Sequence, residues 1–148
     1  MERKLKEKLP SGKFLNVPVG RSRTMAAIRG KRNKTTELAL RMTLVHFKIS
    51  GWRLHAVDLP GKPDLFFQRK KLAVFVDGCF WHGCPRCGHV PKTRSKFWRA
   101  KIQRNKQRRV FVARQLRQKG IRVIQIWEHS LNSDVGKRKV IDQLIKIL

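Results

Sequence analysis

From Asn33, whose side chain suits a helix N-cap, Leu38, Met42, Val45 and Ile49 recur every three or four positions until Gly51. That spacing predicts a first helix with these four side chains on its buried face. The pattern then shortens: Arg53–Val57 and Leu65–Gln68 read as strands, and after the charged turn Arg69–Lys71 the apolar run Leu72–Val76 completes a hairpin. Helical spacing returns over Ser95–Lys119, with Trp98, Ile102, Val112 and Leu116 available for the core and Gly120 as the stop. Ile121–Trp127 reads as a buried strand, and Val140, Leu144, Ile145 and Leu148 mark a short closing helix. The order α, β, β, β, α, β, α predicts an α/β fold in which helices flank a mixed β-sheet.

Residues 1–33 do not share this patterning. They are polar and basic, broken by Pro10, Gly12, Pro18, Gly20 and Gly30, and read as an N-terminal arm that contacts a polyanion, with 34–148 as the folded domain. A chain of 148 residues buries about 70% of its unfolded surface, enough for one real core.

Charge changes the picture most. The 36 Lys and Arg against 9 Asp and Glu leave +27, an excess that opposes compaction unless a polyanion is near and points to nucleic acid. Between Arg99 and Lys119 the second helix carries nine Lys or Arg and no acid, so its outer face is expected on phosphates; a merely solvated face usually mixes both signs. No run of about 18 apolar residues exists and Met1–Phe14 lacks a secretory segment, so neither membrane insertion nor export is expected. In a reducing compartment, three cysteines within nine residues suggest metal rather than disulfides.

With so few acids, each can be weighed. Glu2 and Glu7 belong to the arm, Asp134 and Asp142 to polar contexts near the carboxyl end, Asp58 to a loop and Glu128 to a strand end. Glu37, Asp64 and Asp77 remain. Asp64 opens one strand of the hairpin and Asp77 ends the next, so antiparallel pairing brings two carboxylates together, an arrangement that suits Mg²⁺ and phosphodiester hydrolysis. His82, five residues beyond Asp77, is placed to accept a proton from an attacking water. Glu37 either adds a carboxylate or complements the dipole of the first helix. Cys79, Cys84 and Cys87 form C-x₄-C-x₂-C, three thiolates that need a fourth ligand for tetrahedral Zn²⁺; His82, His89 and His129 are the candidates. Phe80, Trp81, Phe97 and Trp98 lie beside this loop and the basic helix, where aromatic side chains can wedge between base pairs.

Taken together these segments resemble the very short patch repair endonucleases. The matching pieces are Arg21-Ser22-Arg23-Thr24-Met25 with Ile28, Glu37, Leu59-Pro60-Gly61-Lys62-Pro63-Asp64, Val76-Asp77-Gly78-Cys79-Phe80-Trp81-His82, Val90-Pro91 with Thr93-Arg94 and Phe97-Trp98, and Gly120-Ile121-Arg122-Val123 through Trp127-Glu128. The resemblance implies a fold related to restriction endonucleases and a Mg²⁺-dependent nick of one DNA strand, 5′ of the T in T:G mismatches left by deamination of 5-methylcytosine. By position it makes Asp64 the main Mg²⁺ ligand, Asp77 a second, His82 the general base and Glu37 an assisting acid. It places structural zinc on Cys79, Cys84, Cys87 and His129, an intercalating wedge at Phe80, Trp81 and Trp98, and DNA contacts at Arg21, Arg23, Met25, Arg94 and Phe97. The implied partners are mismatched duplex DNA, mismatch-repair proteins and a cytosine methyltransferase, for a cytoplasmic, nucleoid-associated monomer. Some members also carry an acid on the second helix near the catalytic histidine, where this chain reads Gln107-Arg108-Arg109, which leaves open what orients His82. Two other readings fit the residues: a restriction-like or mobile-element nuclease acting on paired DNA, and a non-catalytic zinc module that binds nucleic acid.

Overall fold

The structure is a computed structural model and describes residues 34–148; the arm positions Arg21, Arg23 and Met25 lie outside the described residues. Helix α1 spans Lys34–His46, followed by β1 (Arg53–Leu54), β2 (Leu65–Phe67), β3 (Leu72–Asp77), helix α2 (Ser95–Gln118), β4 (Arg122–Trp127), a 3-10 turn (Glu128–Leu131) and helix α3 (Asp134–Ile145). The strands form one sheet in the order β1-β2-β3-β4. β1 and β3 flank β2 antiparallel, while β4 joins β3 in parallel, with Asp77 paired to Trp127. A parallel neighbour requires a crossover, and α2 is that crossover.

The pleat divides the core between the two faces of the sheet. Leu65, Phe67, Leu72, Val74, Ile124 and Ile126 meet Leu40 and Leu44 of α1 and Val140, Ile141 and Leu144 of α3. On the opposite face Phe66, Ala73 and Phe75 meet Val112 and Leu116 of α2. Each fully buried Leu contributes about 2 kcal/mol through burial. Strand β3 is covered on both faces, and this explains why its sequence is a continuous apolar run. Among the described residues no helix is long and apolar enough to cross a membrane.

Helix α1 corrects one expectation. Leu40 and Leu44 are fully buried, whereas Leu38, Met42 and Val45 are 48%, 64% and 66% exposed. The helix carries two apolar stripes of similar period, and packing selects the one that also buries Thr36, Glu37 and Thr43. It ends before Gly51, at His46, with Lys48 in the left-handed region (φ 56°). β1 stops at Leu54 instead of Val57: His55 still donates its N–H in register to the Asp64 carbonyl at 3.2 Å, but its turn to φ 44° leads the chain away from β2. Ile145, expected in the core, is 57% exposed, while Val140 and Leu144 are buried. α2 ends within a residue of the expected position, with Gly120 at φ 71°. The Ser133 hydroxyl caps α3, accepting from the Gly136 N–H at 3.1 Å.

Candidate active site and metal centre

Period-two alternation puts Asp64, Phe75 and Asp77 on the α2 side of the sheet, at the end where β2 begins and β3 finishes. Pro63, fully buried, precedes Asp64, and the Asp64 carboxylate accepts the Val76 N–H through Oδ2 at 2.8 Å. Among the described residues its other oxygen accepts no hydrogen bond. Burial raises the Asp64 pKa above the usual carboxylate range; the Val76 N–H opposes this, and the nearby charge of Glu37 adds to it. Glu37 is not the exposed first-turn acid that a dipole role alone would give: it is 8% exposed, with Oε1 at 3.4 Å from Nε2 of His55. A half-buried carboxylate that feels the charge of a second one nearby is what a divalent cation relieves.

Asp77 has different surroundings. It is 0% exposed. Arg109 of α2 forks it, donating from Nη2 to Oδ1 and, at 2.9 Å, from Nε to Oδ2, while the Gln125 amide of β4 donates to Oδ2. The Arg109 guanidinium lies 4.0 Å from the Phe75 ring centroid. The expected role of Asp77 as a second Mg²⁺ ligand thus meets a carboxylate with both oxygens engaged. His82 Nε2 stands 3.6 Å from Asp77 Oδ1. Burial lowers the His82 pKa, the Asp77 charge opposes that and Arg109 adds to it, which favours the neutral imidazole.

The thiols of Cys79, Cys84 and Cys87 converge with His129, all four ligand atoms lying within 4.8 Å of one another. His129 Nδ1 is 3.3, 3.5 and 3.4 Å from the three sulfurs. Tetrahedral zinc, with Zn–S about 2.3 Å and Zn–N about 2.0 Å, sets ligand atoms roughly 3.5–3.8 Å apart, so the donor set and the spacing both fit. Burial and the neighbouring thiols push Cys79 up to about 12, which a bound dication would reverse. Of the candidate fourth ligands, His129 joins the cluster; His82 faces Asp77, and His89 packs on Phe80 at 5.5 Å. Glu128, at the end of β4, accepts the Cys79 N–H at 3.1 Å and fastens the loop to the sheet.

Between the strand end and the cysteines, Phe80 packs edge-on to Trp81 (5.0 Å) and Trp98 (5.2 Å), and Phe97 packs on Trp98 (5.3 Å). Lys101 Nζ stands 5.8 Å from the Trp81 ring and 6.0 Å from that of Phe97. Asn105 of α2 donates to the Trp81 carbonyl at 2.8 Å, tying the aromatic loop to the helix. Arg94, directly before α2, adopts φ 56°.

Sequence reasoning missed Arg109, Gln125, Asn105 and His55. For two of them a signal exists. Asn105 and Arg109 lie on the stripe that runs Ile102, Asn105, Arg109, Val112, Leu116, which faces the sheet, so a cation there has to find a buried acid. His55 and Gln125 carry no such mark.

The family described as DNA mismatch endonuclease Vsr matches residues 16–87. Over 117 residues the chain is 43% identical to the Type II nicking enzyme V.NaeI of Lentzea aerocolonigenes, covering 74% of this chain and 68% of that protein. It is 41% identical to V.XorIIP of Xanthomonas oryzae pv. oryzae over 80% of this chain and 86% of that protein. With the DNA mismatch endonuclease Vsr of Escherichia coli (strain K12) it shares 33% identity over 84% and 78%. The chain matches these relatives over most of their length, and the family match over residues 16–87 takes in the strand-end carboxylates, the histidine and the cysteine loop. The chain therefore belongs to the Vsr-like family of strand-nicking DNA endonucleases.

Proposed function

We propose that the protein nicks one strand of duplex DNA 5′ of the T in T:G mismatches, with Mg²⁺ bound at Asp64 and Glu37 assisting, on a fold related to restriction endonucleases. The observation that carries this reading is a half-free, half-buried Asp64 that feels the charge of Glu37 at the end of a sheet whose neighbouring loop presents His82 and an aromatic cluster. A bound Mg²⁺ supplies charge neutralisation at the scissile phosphate and an acidified water. Asp64 and Glu37 would hold it, and His82, kept neutral by burial, would take the proton of the attacking water. Phe80, Trp81 and Trp98 would enter the base stack beside the mispair, while Phe97, Arg94, the cations of α2 and the arm residues Arg21, Arg23 and Met25 track the backbone. Zn²⁺ on Cys79, Cys84, Cys87 and His129 would clamp the loop bearing both His82 and the wedge.

Duplexes differing only in T:G against C:G, each incubated with Mg²⁺, test the proposal: preferential nicking of the mispair that Asp64→Ala abolishes is expected, and equal cutting by wild type and Asp64→Ala would refute the centre. Several relatives are named Type II nicking enzymes, which favours a second reading, a nuclease working beside a restriction system. Equal nicking of paired and mispaired DNA would select it. In either setting a cytosine methyltransferase and mismatch-repair proteins are the proposed associates.

A further inference from the structure

A carboxylate taken wholly out of water costs several kcal/mol unless its lone pairs are met. Those of Asp77 are met without any metal: the Arg109 fork uses both oxygens, and the Gln125 amide adds a bond to Oδ2. A carboxylate offers about four acceptor sites, and the fourth is approached by His82, Nε2 to Oδ1 at 3.6 Å. Arg109 is itself held, stacked on Phe75 at 4.0 Å. Mg²⁺ demands a near-octahedral shell at about 2.0–2.1 Å and sheds water reluctantly. At Asp77 it would have to displace a bidentate pair in a dry site beside a guanidinium that repels it.

The histidine shows the complement of this arrangement. One ring nitrogen points at Asp77, and the other, Nδ1, is covered by protein yet has no hydrogen-bond partner. Asp77 is thus the acid that faces the ring, from just beyond direct hydrogen-bond reach.

We infer that Asp77, locked by Arg109 and Gln125, is the positioning residue of His82 and not a ligand of the catalytic cation: its carboxylate faces Nε2 and fixes how the ring is turned. The inference rests on the reading of His82 as the base. As the water oxygen bonds to phosphorus, its proton passes to the His82 ring and the bridging ester oxygen leaves, taking a proton from solvent. The acid that orients this histidine thus comes from the end of β3, and α2 contributes the arginine that fixes the acid.

The test compares wild type, the double variant Asp77→Asn/Arg109→Gln, Asp64→Asn and His82→Ala. The double variant removes both buried charges and preserves volume. It should lower kcat about 10²-fold, within the usual worth of a positioned base, with KM for the duplex and the Mg²⁺ concentration for half-maximal rate unchanged. Mn²⁺ bound by the protein–duplex complex, followed by electron paramagnetic resonance, should match wild type in the double variant and be lost in Asp64→Asn. Gln125→Ala, which strips one bond from the carboxylate and leaves no bare charge, should show a smaller kcat loss of the same kind and serves if the double variant does not fold. Adding Asp77→Asn/Arg109→Gln to His82→Ala should cost nothing further, because Asp77 acts through the ring. A raised Mg²⁺ requirement together with a weakened Mn²⁺ signal in the double variant would overturn the inference, as would an unchanged kcat. Full activity in His82→Ala would instead overturn the base reading, so the two failures are distinguishable.

Discussion

Gly61→Ala is expected to be among the most damaging single substitutions outside the chemistry. A Cβ at Gly61 would stand 2.3 Å from Val112 Cγ1, 3.0 Å from Cγ2 and 3.2 Å from Cβ, where carbon atoms in contact normally sit about 3.5–4.0 Å apart. Val112 cannot swing aside, since it is buried among Phe75 and Leu116 and is stiff at χ1. Forcing an extra methyl into packing of this kind costs about 1–3 kcal/mol, and an L side chain at φ +72° adds roughly 1–2 kcal/mol. The total, about 2–5 kcal/mol, corresponds to a fall in Tm of roughly 10–20 °C for a domain of this size. Gly120 provides the control, because its φ is +71° but nothing lies within 4 Å of a Cβ there. Gly120→Ala should lose only the backbone part. The assay is thermal unfolding of both variants and of Gly61→Ala/Val112→Ala, in which the two Cγ overlaps are gone and the two costs should be less than additive. Equal Tm losses for Gly61→Ala and Gly120→Ala would refute the reasoning. So would strict additivity in the double variant. Because residue 61 lies three before Asp64, any relief by loop movement should also show as slower nicking well below Tm.

Three other outcomes are expected. Asp64→Asn should abolish nicking and raise the Tm of metal-free protein at neutral pH: burial raises the folded pKa of this acid, so folding is favoured with the proton on, and that favour is lost as pH rises through the unfolded and then the folded value. Scans at pH 3 and pH 7.5 check the sign, the gain appearing only at the higher pH. Removing metal from the Cys79–Cys84–Cys87–His129 cluster with a strong chelator should release about one Zn²⁺ per chain, read with a chromogenic indicator, and Cys84→Ser should bind less and unfold at lower temperature. Replacing exposed Lys106 and Arg108 by Gln should weaken duplex binding and reduce the slope of log K against log salt by about 0.9 for each phosphate no longer neutralised, with kcat at saturating DNA unchanged.

How much of this was legible in the sequence differs by element, for physical reasons. The hairpin, β4 and α2 followed from their patterns because strands covered on both faces as in β3, a strand buried on one face as in β4, and a helix with one buried stripe leave little choice of register. The gathering of the three thiols followed from spacing, as thiolates have few other reasons to gather, while His129 as their fourth neighbour came from the resemblance alone. α1 did not: Leu38, Met42 and Val45 share the period of Leu40 and Leu44, and only the neighbours in space decide which set is buried. The Asp64–Asp77 pairing was half right in the same sense. Hairpin topology does bring both acids to one end of the sheet, but no local pattern tells that Arg109, 32 residues away in sequence, already occupies one of them. His55 was invisible because its importance comes from a left-handed backbone that no residue type announces.

A chain at +27 holds few acids, and the structure shows how four of the seven described ones are spent. Glu37 faces His55, Asp64 takes the Val76 N–H, Asp77 neutralises Arg109, and Glu128 holds the Cys79 N–H. All four lie around the strand ends, while the outward side of α2 carries none. Long-range attraction of DNA and local geometry are therefore assigned to different residues. Cations on the surface act through a screened field, so their removal weakens binding gradually and in proportion to salt. The enclosed acids act through contacts of about 3 Å, so removal of one disturbs a single angle or proton and leaves the field nearly intact. Lesions in affinity and lesions in turnover should consequently fall on separate residue sets, and Arg109, a cation by type but buried against Asp77, belongs with the second.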